Sequence, residues 1–324
     1  MKVRMKKLKD MKRKNCTHLG IWTISAAVLL GAVFAASTTV AQTIPDEGYP
    51  IMRPDPGTLK RWLDSYHAAP AIGMADSEMV APAALGQHSV LPHVPYVPVD
   101  RDQGGCGNCW IWAGTGCMEV AHHVKNGVFD RLSIQYLHSN YSGPKYACCG
   151  GSLSDVQGFY AGTGIAIPWS NTNANWQDWI TDCPSGSTTV PGASIATVPQ
   201  YGIHHINRNS ITTQTVNQAT AIANIKSVLD NDDGVWFGFF LPNKTAWTAF
   251  FNFWDFQPET AVWDDWYSGT PYDPSDGEGG GHAVLCVGYD DMDPGNSYWI
   301  MLNSWGTAGV NRPNGLFRVD MDMD

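Results

Sequence analysis

Residues 102–110 read DQGGCGNCW, and the thiols of Cys106 and Cys109 pose the first chemical question. A Cys-x-x-Cys pair can ligate a metal, cycle as a redox disulfide, or divide its roles, one sulfur in a structural bridge and the other a nucleophile. Structural zinc needs further N/S ligands, usually a second closely spaced pair. Cys148 and Cys149 are adjacent and poorly placed to ligate together, and His122 and His123 diverge by about 100° on a helix. A thioredoxin-like pair should follow a strand directly in a small βαβ unit, whereas here the prolines of VPYVPVDRDQGG break any central strand. The divided role requires a base and a group to orient it. GGGHAVLCVGY supplies His282 at the start of a strand, and YWIMLNSWG supplies Asn303 at the end of another.

These residues need elements to carry them. The run WIWAGTGCMEVAHHVKNG puts Ala113, Cys117, Val120 and Val124 on one helical face and ends at Gly127, which predicts a helix with Cys109 at or near its N-terminus. A second helical run spans Ala219 to Leu229, and VWFGFF after DNDDG reads as a buried strand. Three strand-like runs follow, HAVLCVGY, SYWIMLNSW and GLFRV. Helix first and sheet last predict an α+β protein with a site between the two halves. Residues 170–218, rich in Asn, Thr and Ser, and 243–280, with Trp247, Trp254, Trp263 and Trp266, carry no clear pattern. The tryptophans are expected to pack inside or to line a groove rim.

Four ordered phrases, DQGGCGNCW, RLSIQYLHSN followed by CCGG, GGHAVLCVGY, and YWIMLNSWGT with NGLFRV, resemble those of the papain-like cysteine peptidases. The likeness extends over most of 88–324 and is loose over about 165–280. It implies a two-lobe α+β fold, with a helical N-terminal lobe, a β-barrel-like sheet C-terminal lobe and the active-site cleft between them. It implies Cys109 as nucleophile, His282 as its base, Asn303 as the amide that orients the imidazole, and Gln103 as an oxyanion donor. Pairing with an imidazolium at a helix N-terminus can lower a thiol pKa to about 3–4. Trp305 is implied to shield the His–Asn contact and border the substrate site, and Gly150 and Gly151 to offer bare backbone to an extended peptide. The resemblance also implies a Cys106–Cys148 disulfide, which makes Cys106 the staple.

The chain departs from the family pattern at Asn108, where Ser or Ala is usual, and at Asn140, where a cysteine is usual. Cys149 is therefore expected to pair with Cys183, with Cys117 and Cys286 buried and free. His282 and Asn303 lie 173 and 194 residues after Cys109, so extra loops are expected within 170–218 and 243–280.

The N-terminal MKVRMKKLKDMKRKN is basic and leads into an apolar stretch from Ile21 to Ala36, short for a membrane span, with small residues before Gln42. Residues 1–41 are expected to be a signal peptide, 42–87 a short pro-segment or linker, and 88–324 the peptidase domain. Losing 1–41 removes eight of 20 Lys+Arg and one of 30 Asp+Glu, turning a formal charge of −10 into −17. Such acidity disfavours nucleic acid and anionic membrane as partners and suits a secreted, periplasmic or cell-surface protein with no stable membrane association after signal removal. The seven cysteines then left are odd in number, so at least one thiol stays unpaired within the chain. The expected activity is a thiol endopeptidase acting on polypeptides without metal or cofactor. The alternatives are a catalytically silent relative that binds peptides or glycans, and acyl transfer to an amine through the same residues.

Overall fold

In the computed structural model the described residues are 48–72, 85–184, 186–267 and 269–323, all within the compact unit Ile44–Asp324. The expected leader lies outside them, as do residues 42–47 and 73–84 of the 42–87 linker. Among the described residues no helix is long and apolar enough to cross a membrane.

Helix α1, Pro56–His67, begins where Asp55 accepts the Thr58 amide at 2.8 Å and Pro56 sets the first turn. Helix α2, Cys109–Asn126, stops at Gly127, whose φ of 67° is left-handed. Helices α3, Ile134–Asn140, and α4, Leu153–Thr163, pack on α2. The α4 start is held by Asp155, which accepts the Ser152 amide at 2.8 Å. Helix α5, Gln218–Asp230, and helix α6, Lys244–Phe256, are capped by Asn217 and Asn243. The first third of the expected loop over 243–280 is thus a helix, with Trp247, Phe250 and Trp254 buried along one face.

The short strands β1 (Ala71–Ile72) and β5 (Ser210–Ile211) form a parallel pair and β3 (Ile165–Ala166) and β4 (Tyr201–Gly202) an antiparallel one, while β2 (Gln87–Ser89) joins the main sheet. The main sheet adds β6 (Val235–Leu241), β7 (Val262–Trp263), β8 (Gly280–Asp290), β9 (Tyr298–Leu302) and β10 (Leu316–Asp320). Its order is β2-β8-β9-β10-β7, with β6 also paired to β8. β8 is buried almost throughout because β6 flanks its first half, β2 its last residues and β9 its other edge.

Two cores result. One joins the sheet to α6 and contains Leu241, Phe250, Trp254, Leu285, Trp305 and Phe317. The other holds α2, α3 and α4 through Trp110, Trp112, Leu137, Val156 and Tyr160. The consecutive residues Ile51 and Met52 are buried in different cores, Ile51 in the first and Met52 in the second. The stretch before α1 is therefore threaded along the seam between them. Disulfides join Cys106 to Cys148 and Cys149 to Cys183, while Cys109, Cys117 and Cys286 are free thiols. Cys286 is buried as expected, but Cys117 is only partly so, because it lies towards the rim of the helix–sheet contact.

Candidate active site

Cys109 is the first residue of α2 and is completely buried. Its sulfur meets the backbone N–H groups of Ala283, Trp110 and Cys109 itself, which favour the thiolate, yet burial outweighs them and pushes the thiol up to about 12. Ala283 follows His282 on β8, so the Cys109 sulfur at the start of α2 lies beside the backbone of the strand that carries the imidazole.

His282 Nε2 lies 2.7 Å from Asn303 Oδ1. The amide oxygen can only accept, so Nε2 carries the proton and Nδ1 keeps a lone pair. That nitrogen is buried and makes no hydrogen bond. Burial lowers the imidazole pKa to about 4, with the Asn303 bond working against the drop. In this closed arrangement the thiol and the imidazole are both neutral. The expectation of a thiol lowered to about 3–4 is reversed here because water is excluded from both groups and no charge can be solvated.

Asn303 directly follows β9 and is pinned by its neighbours. Its amide N–H donates to Gly315 O at 3.0 Å, its carbonyl accepts Arg101 Nε at 3.1 Å, and its Oδ1 also accepts the Ser304 amide at 2.8 Å. Gln103 is buried and tied to the same stretch, its Oε1 accepting Ser304 Oγ at 2.6 Å. Gln103 Nε2 donates to Cys106 O at 2.7 Å, which uses one of its two hydrogens. Trp305 stacks on His282 at 4.3 Å between ring centroids, and Tyr49 stacks on Trp305 at 4.4 Å. The His–Asn contact is thus sealed from solvent on that side.

Residues 48–55 cross this site. Tyr49 donates its hydroxyl to Asp255 Oδ1 at 2.6 Å. Met52 and Gly281 exchange backbone hydrogen bonds of 2.8 and 2.7 Å, adding a bridge to the end of β8 next to His282. A side chain at Gly280 would collide with Ile51 and with the Met52 carbonyl, which accounts for a glycine there. Gly150, with φ 101°, faces Met52 and Trp62, whereas Gly151 packs against the Trp110 ring. Lys145 holds the start of α1 through Asp55 at 2.7 Å.

Sequence reasoning missed Arg101, Ser304, Tyr49 and Met52. The first two act through the backbone and through Gln103, and their spacing carries no signal. Tyr49 and Met52 reach the site only by tertiary packing. Cys106, Cys148 and His138 converge closely enough to suggest metal ligation, but the two sulfurs are bonded to each other and offer no thiolate.

A family model described as papain family cysteine protease matches residues 93–230 and 259–324. Cathepsin B-like CP2 of Giardia intestinalis is 28% identical over 248 residues, covering 74% of this chain and 69% of its own length. Thiol protease aleurain of Arabidopsis thaliana is 26% identical over 253 residues, 76% of this chain and 58% of its own. Among solved structures, the digestive procathepsin L2 proteinase from Tenebrio molitor larval midgut overlays with a TM-score of 0.52 at 18% identity, covering 82% of this chain and 75% of that one, a likeness of fold.

Proposed function

Because this chain belongs to the papain family of cysteine proteases, we propose that it is a secreted thiol endopeptidase whose Cys109, His282 and Asn303 hydrolyse peptide bonds through an acyl-enzyme. The observation that carries the reading is the bond from His282 Nε2 to Asn303, which leaves the buried Nδ1 free to act as a base, on the strand whose next residue, Ala283, meets the Cys109 sulfur through its backbone.

The steps follow from the atoms. With the cleft open to solvent, the Cys109 proton passes to His282 Nδ1, and the helix N-terminus and the imidazolium stabilise the thiolate. The sulfur attacks the carbonyl carbon of the scissile bond. Negative charge gathers on the carbonyl oxygen, for which the second Nε2 hydrogen of Gln103 and the Cys109 amide are suited donors. His282 then gives its proton to the departing amine, leaving a thioester. Water attacks that thioester as His282 takes its proton, and release of the acid restores the thiol. Asn303 keeps the ring in register without adding a charge. Gly150 and Gly151 would present backbone to the extended substrate, with Trp305 on the opposite side.

Residues 42–87 act in this reading as a pro-segment, since the part within the structure bonds to Gly281 beside His282, stacks on Trp305 and faces Gly150, and it must leave before a polypeptide can enter. Export is supported by the basic and apolar N-terminus and by the two disulfides, which suit an oxidising compartment.

The test is a titration of the processed protein with a thiol-alkylating epoxide, followed by peptide mapping and a peptide-cleavage assay. The expected result is stoichiometric label on Cys109 with loss of cleavage in the same proportion. Cleavage that persists with Cys109 fully labelled would overturn the assignment.

A further inference from the structure

Residues 178–183 form a short loop braced on three sides. Asp178 is fully buried and accepts from Gln135 Nε2 at 2.6 Å, Thr188 Oγ1 at 2.7 Å, the Thr189 amide at 2.7 Å and Thr189 Oγ1 at 2.5 Å. At the other end Cys183 is bonded to Cys149, the residue before Gly150. In the middle the Trp179 carbonyl accepts the Gly105 amide at 2.6 Å, and Thr181 Oγ1 lies 3.3 Å from the Cys148 sulfur. The approach is so close that a Cβ at Gly104, where φ is +62°, would fall 2.1 Å from the Trp179 carbonyl oxygen. The loop is thus fastened to both backbone segments of the helical side of the cleft, Gln103–Gly107 and Cys148–Gly151.

What this brace holds outward is unexpected. Trp179 is 49% exposed and its neighbour Ile180 69% exposed. The 48–55 segment meets Gly150 through Met52 and Trp305 through Tyr49 but leaves this pair open to solvent. Single exposed apolar residues are ordinary, whereas two large ones side by side on an immobilised turn form a ready contact surface with little ordering left to do on binding.

We infer that Trp179 and Ile180 form an outer subsite that grips an apolar side chain of a polypeptide substrate, beyond the residues that flank the scissile bond. The occupant follows from continuity, because the loop extends the wall that begins at Gln103 and Gly150. The inference rests on the peptidase reading and names the substrates that reading favours: chains long enough to reach the rim, with an apolar residue there.

The experiment compares two substrates for the full-length chain after processing. One is a short fluorogenic amide confined to the residues beside the scissile bond, and the other is the same core extended at both ends by leucine-containing arms. The quantity read is the ratio of kcat/KM for the long peptide to that for the short. Joint Trp179→Ser and Ile180→Ser substitution should lower this ratio about tenfold, through KM rather than kcat. Joint Trp179→Phe and Ile180→Leu substitution should hold it within about threefold, which separates a contact surface from a merely structural loop. Replacing the arm leucines by serine should lower the ratio for the unsubstituted protein and leave nothing for the serine variant to lose. An unchanged ratio in a folded serine variant overturns the inference while leaving the peptidase reading intact. Cleavage of neither peptide by the unsubstituted chain overturns both.

Discussion

Met52 offers the sharpest way to test whether the 48–55 segment is what closes the site. Its side chain is 2% exposed and belongs to the cluster that includes Cys109, Trp110 and Ala283, while its backbone alone makes the bridge to Gly281. Met52→Ala therefore removes packing and leaves the main-chain bonds possible. Truncating a buried methionine costs about 2–5 kcal/mol, and since the released segment still shields some apolar surface the lower part applies, about 2–3 kcal/mol. At about 1.4 kcal/mol per tenfold, the open population should rise roughly 30- to 150-fold. Iodoacetamide labelling of Cys109, followed on the full-length species by mass, should accelerate by that factor when opening is fast relative to alkylation. Cys286, buried in the sheet core, serves as the internal control for wider unfolding. A Cys109 labelling rate within about threefold of the unsubstituted chain, or a rise matched by Cys286, would refute the reasoning.

Acid should loosen the same segment. His282 is held at about 4 while buried and returns towards about 6.5 once exposed. The closed form then keeps its full stability above about pH 6.5 and loses it as pH falls towards 4. Asp55, held below the usual carboxylate range chiefly by Lys145, acts with the same sign at still lower pH. Hydrogen exchange at the Met52 and Gly281 amides, corrected for intrinsic rate, should quicken between about pH 7 and 4.5, and constant protection would count against this. Gln103→Ala should cut kcat about 10²- to 10³-fold with a smaller change in KM, measured on a short peptide, if its amide stabilises the oxyanion. Joint Cys149→Ala and Cys183→Ala substitution should lower stability by about 2–4 kcal/mol in denaturant titration, and a change under about 1 kcal/mol would show that the loop is held by the Asp178 bonds alone.

The elements that carry the chemistry were legible because their patterns are local. The apolar face from Ala113 to Val124 and the stop at Gly127 mark α2 within a residue or two, and the three apolar runs at the end of the chain are β8, β9 and β10. Helix α6 was not legible although Trp247, Phe250 and Trp254 recur at helical spacing, because the aromatic residues of KTAWTAFFNFWDF are weak helix formers and read by type as packing or rim residues. In α1, Leu59, Trp62 and Leu63 recur at helical spacing, but its docking beside Gly150 depends on contacts between segments some 90 residues apart. The protonation states were the least readable. Residue types suggested an ion pair, and only the observed burial reveals that the closed site holds neutral partners.

Ile51 and Met52 plug separate cores from one strand of chain, so excising that strand uncovers greasy surface on both halves of the molecule at once. A chain lacking that stretch should be the shorter-lived form on storage and the more prone to clump.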